Sequence, residues 1–166
     1  MDPLERRAPP LAEASVSGNS PDNPYQTRAA DTARENLPTI LVVENDEPSR
    51  RLIEQILAFS GYAFVSAANG QEALAALEQT PVDLMLMDLS MPVLDGYQTT
   101  ALVRQLPRYA QTPIIAVSGH TSGEEREHAL SYGFTDYLSK PFRPVELVRL
   151  VSYLLSAAPP GQSEPE

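Results

Sequence analysis

The sequence predicts an α/β fold, a doubly wound parallel sheet with helices on both faces. Three observations lead to it. Short apolar, β-rich runs alternate five times with helical stripes between residues 38 and 156, and strict alternation of this kind marks a parallel sheet. The third run, Val82-Asp83-Leu84-Met85-Leu86-Met87, lies between Pro81 and Pro92 and reads as a strand buried on both faces. It stops on Asp88, a carboxylate at the C-terminal end of a buried strand, where open α/β sheets place their chemistry.

Taken in order, residues 1–37 read as a disordered leader rich in Pro, Ala, Ser, Asn and Asp, in which 29–36 could form a short helix. Thr39–Val43 is the first strand. Pro48 sits where a first helical turn tolerates it, Leu52, Ile53, Ile56 and Leu57 form the helical stripe, and Gly61 is the stop. Residues 62–66 form the second strand. Asn69-Gly70 turns the chain into a helix striped by Ala73, Leu74 and Leu77. After the third strand over 82–87, Asp95 is placed to cap a helix carrying Tyr97, Ala101, Leu102 and Leu106. Residues 113–117 form the fourth strand, 124–132 a short acidic helix closed by Gly133, and 136–138 a short fifth strand. Pro144 opens the last helix, with Leu147, Val148, Val151, Leu154 and Leu155 on its apolar face. The domain is expected over 38–156, followed by a disordered tail over 157–166. Right-handed crossovers leave few layouts for five βα units, and the commonest is the flavodoxin-like (βα)5 order 2-1-3-4-5.

Composition narrows the function classes. The 166 residues suit one domain with tails, and 42% hydrophobic residues suffice for one ordinary core. No apolar run approaches the length of a membrane span, and Met-Asp-Pro-Leu-Glu-Arg-Arg is no secretory signal. Cysteine is absent, which excludes disulfides and thiolate metal sites and fits a reducing, cytoplasmic compartment. A formal charge of −10 argues against nucleic acid or an anionic membrane as the main partner. Lys140 is the only lysine in an otherwise Arg-based set of cations, and Lys meets a phosphate as a compact point charge that Arg does not reproduce.

In the predicted topology the ends of strands one, three, four and five carry Glu44-Asn45-Asp46, Asp88, Ser118-Gly119 and Lys140. Carboxylates clustered in open loops suit a hard cation such as Mg²⁺. A lysine and a hydroxyl facing them can hold phosphoryl oxygens. A lone central carboxylate can serve as nucleophile and form an acyl phosphate, with a metal neutralising the developing charge.

The stretches Leu41-Val42-Val43-Glu44-Asn45-Asp46-Glu47-Pro48, Asp83 to Gly96, Pro113-Ile114-Ile115-Ala116-Val117-Ser118-Gly119 and Tyr137-Leu138-Ser139-Lys140-Pro141-Phe142 together resemble a response-regulator receiver domain of two-component phosphorelay signalling. The resemblance implies a phosphoacceptor rather than an enzyme in its own right. Asp88 would take a phosphoryl group from a phosphohistidine on a histidine kinase or histidine phosphotransfer protein. Glu44, Asn45, Asp88 and the Ser90 carbonyl would hold Mg²⁺. Ser118 and Lys140 would bind the phosphoryl group, across a cis Lys140–Pro141 bond, and Tyr137 would be the switch aromatic. No helix-turn-helix or catalytic module follows Leu155 in this sequence, so the output is expected at a protein surface on the fourth helix, fifth strand and fifth helix.

Asn45 departs from the family, which usually has two adjacent acids there. An amide oxygen can coordinate a hard cation but brings no charge, and Asp46 is expected to point elsewhere. The alternative function is therefore a phosphorylation-independent, receiver-like docking module with a weakened metal site; the intact Asp88, Ser118 and Lys140 favour the phosphorylated switch. His120 and His128 are expected to have no catalytic role. A flavin-binding flavodoxin is disfavoured because Glu44-Asn45-Asp46-Glu47 would repel a phosphate, and an Asp-nucleophile hydrolase because Ser90 stands where a second Asp is usual.

Overall fold

The computed structural model describes residues 37–120 and 122–157. The expected leader up to residue 36, with its helix over 29–36, and the tail beyond Ala157 lie outside the described residues. The elements are β1 (Thr39–Val43), α1 (Glu47–Phe59), β2 (Ala63–Ala67), α2 (Gly70–Gln79), β3 (Leu84–Asp88), α3 (Gly96–Arg104), a 3₁₀ turn (Pro107–Tyr109), β4 (Ile114–Ser118), α4 (Gly123–Ser131), β5 (Asp136–Ser139) and α5 (Pro144–Ala157). The five strands are parallel, in the order β2-β1-β3-β4-β5, which is the flavodoxin-like arrangement.

Alternation along each strand sends side chains to opposite faces, and the core divides accordingly. Ile40, Val42, Leu84, Leu86, Ile115, Val117 and Leu138 pack with Ile53, Ile56 and Leu57 of α1 and Leu147, Val151 and Leu154 of α5. On the other face Leu41, Val43, Met85, Met87, Ala116 and Tyr137 pack with residues of α2, α3 and α4. β3 and β4 are buried along their whole length, so the central strands read in sequence as unbroken apolar runs. No helix among the described residues is long and apolar enough to cross a membrane.

Element boundaries differ from expectation for identifiable reasons. β3 begins at Leu84 rather than residue 82, because Asp83 is spent on the edge of β1: its carboxylate accepts from Thr39 N at 2.8 Å and its own N–H donates to Thr39 O at 2.8 Å. The predicted stripe of α3 is not the one that is buried. Thr99, Thr100 and Val103 face inward with Gly96, while Leu102 and Leu106 are exposed. Thr99 is tolerated inside because its Oγ1 donates to Asp95 O at 2.7 Å, whereas Thr100 Oγ1 is buried without a hydrogen-bond partner among the described residues. The helix stops at Arg104, short of Leu106, where Pro107 starts the 3₁₀ turn. Leu52, assigned to the buried stripe of α1, is exposed as well.

Candidate functional site

The parallel strands end together at one edge of the sheet, and the loops there are built by local capping. Asp46, next to the crevice, turns away from it: its carboxylate accepts from Ser49 N at 3.0 Å and caps α1, which also draws its pKa below the usual carboxylate value. Asp95 caps α3 with a full capping box. Gly96 presses against the end of β3, and an added Cβ would fall on the Asp88 carbonyl and within 2.9 Å of Leu89 Cα. The loop that carries Asp88 and Ser90 is thus packed directly under the first turn of α3.

Glu44, 1% exposed, lies at the bottom of the crevice. Its carboxylate accepts from Lys140 Nζ at 2.6 Å and from Asp46 N at 3.1 Å, and its backbone carbonyl accepts from Arg50 Nη1 at 2.9 Å. Asp88 lies alongside, 6% exposed, and accepts from Ser90 N at 3.1 Å. With its amide oriented to satisfy its neighbours, Asn45 donates to Asp88 Oδ2 at 2.8 Å and to Ser90 O at 3.3 Å. Burial, then the Glu44 carboxylate, raise Asp88 to about 6, against smaller lowering effects of the Ser90 N–H and Lys140.

Glu44, Asn45, Asp88, Ser90 and Lys140 are therefore brought together as expected. The Lys140–Pro141 bond is cis, and Lys140 N donates to Ser118 O at 2.7 Å, holding the fifth strand end to the fourth. The Ser118 hydroxyl is buried but turned toward α4: it donates to Glu125 Oε1 at 3.3 Å and accepts from His120 N at 3.1 Å. Tyr137 is buried, and its hydroxyl donates to His120 O at 2.6 Å, so β5 is tied to the loop that follows Ser118. Glu125 was legible only as one charge of an acidic helix; Arg50 and Gly96 carried no sequence signal of their roles.

Two carboxylates, an amide and the Ser90 carbonyl form an all-oxygen set once the amide presents its oxygen, which fits a hard cation. Among the described residues no three His, Cys, Asp or Glu side chains are grouped so that they could hold a metal ion, so a set here would need the amide and the main-chain carbonyl.

Residues 40–152 match the family described as the response regulator receiver domain. The chain belongs to that family. An uncharacterized 14.6 kDa protein of Leptolyngbya boryana is 40% identical over 121 residues, which span 73% of this chain and 92% of that protein. The signal transduction histidine-protein kinase BarA of Escherichia coli K12 is 36% identical over 121 residues, 73% of this chain but only 13% of the kinase. Among solved structures, the receiver domain of the sensor histidine kinase PA1611 of Pseudomonas aeruginosa is 35% identical with a TM-score of 0.68, covering 72% of this chain and 98% of its own; it has a magnesium ion coordinated in its active site cleft. The chemotaxis response regulator CheY4 of Vibrio cholerae is 30% identical with a TM-score of 0.69, covering 72% of this chain and 99% of its own. The receiver is thus a module of the two-component type, related both to a chemotaxis response regulator and to segments of histidine kinases.

Proposed function

We propose that this receiver is a phosphoacceptor switch in which Asp88 takes a phosphoryl group from a partner's phosphohistidine and the loop after β4 relays the change to a protein-binding surface. One observation carries the proposal: Asp88, a buried carboxylate at the end of the central strand, shares its crevice with the chain's sole lysine. A pKa raised to about 6 still leaves Asp88 mostly ionised at neutral pH. A carboxylate oxygen can then form the new P–O bond as the P–N bond of the donor breaks, and the imidazole leaves with the electron pair. Lys140, now paired with Glu44, is within the same cluster to meet the incoming phosphoryl charge. Glu44, Asp88, the Ser90 carbonyl and Asn45 Oδ1 would hold Mg²⁺, which would neutralise charge on the phosphoryl oxygens.

The donor, a histidine kinase or histidine phosphotransfer protein, must reach Asp88 across the crevice rim. A cavity of about 320 Å³ lined by Ser49, Leu52, Ile53, Lys140, Pro141 and Phe142 offers an apolar seat there. For the output, α4 buries only Ala129 and is lightly anchored. Rotation of Ser118 away from Glu125 would act on that helix, and the Tyr137–His120 bond joins the same loop to β5. This supports a downstream protein on the α4, β5 and α5 face, and a cytoplasmic setting in keeping with the donor chemistry. The receiver's own chemistry is confined to gain and loss of the phosphoryl group at Asp88.

The test is intact-mass measurement after incubation with Mg²⁺ and acetyl phosphate. One added phosphoryl group is expected, and none on Asp88→Asn. No increase with any donor, including a cognate phosphohistidine protein, would leave the docking-module alternative, which the exchange of an acid for Asn45 favours.

A further inference from the structure

Asp88 Oδ2 and Ser90 O, both acceptors, face one end of the Asn45 amide, and this orients its nitrogen toward them, so that it donates to Asp88 Oδ2 at 2.8 Å and to Ser90 O at 3.3 Å. Lys140 has its ammonium on Glu44 at 2.6 Å, so the Asp88 carboxylate draws its side-chain donation from Asn45. With Asp at position 45, the same two contacts would set acceptor against acceptor, one of them carboxylate against carboxylate. The crevice would then carry three acids against one lysine instead of two against one.

We infer that Asn45 is a positioning residue whose amide N–H₂ takes the place of the cation in the metal-free crevice, joining Asp88 to the Ser90 carbonyl, and that Mg²⁺ must turn this amide over to bind. The inference rests on the metal-binding half of the proposed function and deepens it. A bound cation and an amide N–H₂ both satisfy the same two oxygens, so they exclude each other. Binding has to break two N–H···O bonds before Oδ1 can face the metal. The chain therefore holds its phosphoacceptor in place without metal, and binds Mg²⁺ more weakly than a crevice with two adjacent acids.

The full-length chain is titrated with MgCl₂ while the side-chain amide signals are followed by ¹⁵N NMR, with Asn45 assigned by the signal pair missing from Asn45→Asp. In the metal-free protein the Asn45 amide protons should exchange slowly with solvent, and Mg²⁺ should shift the pair and speed its exchange. In thermal melts Asn45→Asp should unfold several degrees lower without metal, and bind Mg²⁺ roughly tenfold more tightly or better, because binding now relieves repulsion. Amide protons that exchange freely without metal, or that ignore Mg²⁺ while the two melting titrations superimpose, would overturn the inference. Should the Asp variant not fold, the signals of the wild type decide, with assignment through Asn45→Ser. None of these readings requires phosphorylation, so failure of the acetyl phosphate experiment and failure of this one are separate results.

Discussion

Arg104 and Lys140 are both partly buried cations at the rims of one sheet, and their surroundings are opposites. Arg104 lies at the edge where β4 and β5 begin. It donates to Gly133 O through Nε and Nη2 at 3.0 and 2.8 Å, and through Nη1 to Tyr109 O at 2.8 Å and Thr112 O at 2.6 Å. All of these acceptors are neutral main-chain oxygens, so one planar fork ties α3, the 3₁₀ turn and the turn before β5 together. Burial lowers its pKa below the usual guanidinium value, and a guanidinium stays charged regardless. Lys140, at the edge where the strands end, has one compact contact to a buried carboxylate, with a second buried carboxylate left over beside it. The first arrangement is satisfied and closed. The second is unbalanced, which is the condition for accepting an anion and a cation from outside.

The comparison predicts that removing charge has opposite signs at the two edges. Arg104→Met should be the most damaging change, lowering stability by about 3 kcal/mol because several carbonyls lose their donor at once. Urea unfolding reads this; a wild-type midpoint would show that the fork contributes nothing. Gly96→Ala should cost about 1–3 kcal/mol by overpacking the end of β3, and, unlike Arg104→Met, it should also slow phosphorylation of the folded protein, because the displaced atoms belong to Asp88 and Leu89. Equal phosphorylation rates in the two variants would erase the distinction between the edges.

Asp88→Asn should go the other way. The carboxyl is held at about 6 in the fold against an ordinary 3.8. Between those values the folded state binds more protons than the unfolded one, so stability falls as pH rises through this window, and the deficit is complete by neutral pH. The Asn variant lacks this loss. It should be more stable at pH 7 by about 1–2 kcal/mol, once screening at the open rim is allowed for, with the gap closing toward pH 4. A gap independent of pH would mean that Asp88 titrates normally. Ser118→Ala should change stability least, by roughly 0.5 kcal/mol, since its bond to Glu125 is long at 3.3 Å. It should keep phosphorylation at Asp88 and lose the response of α4, which hydrogen exchange along residues 123–131 would detect.

Most of the fold was legible because strand and helix alternate strictly and because the central strands, covered on both faces, are apolar without interruption. The strand ends were legible for the same reason: a charged residue directly after such a run can only sit at the edge. What failed was whatever depends on orientation. The buried face of α3 uses Thr99 and Thr100, whose polarity hides them from an apolar stripe. Arg104 is one of many arginines, and its partners are carbonyls, which every residue possesses. Asn45 was readable as an uncharged residue in place of an acid, but whether its amide turns oxygen or nitrogen to Asp88 is a matter of geometry. Lys140 was expected in the crevice, where it lies, but its contact to Glu44, a partner 96 positions away along the chain, is likewise a matter of geometry.

That single lysine also defines what reagents can do to the molecule. Acylating agents selective for amines normally scatter across a protein surface. In this chain they have only the terminal amine and Lys140, whose side chain is 26% exposed. Every acyl group added beyond the terminus therefore marks the crevice itself, and anything that occupies the crevice should slow its addition. Acetylation at that nitrogen would erase the ammonium and leave Glu44 buried without its counter-charge. The labelling rate of one nitrogen thus becomes a direct gauge of how full the crevice is, without a tag, a probe or a substitution.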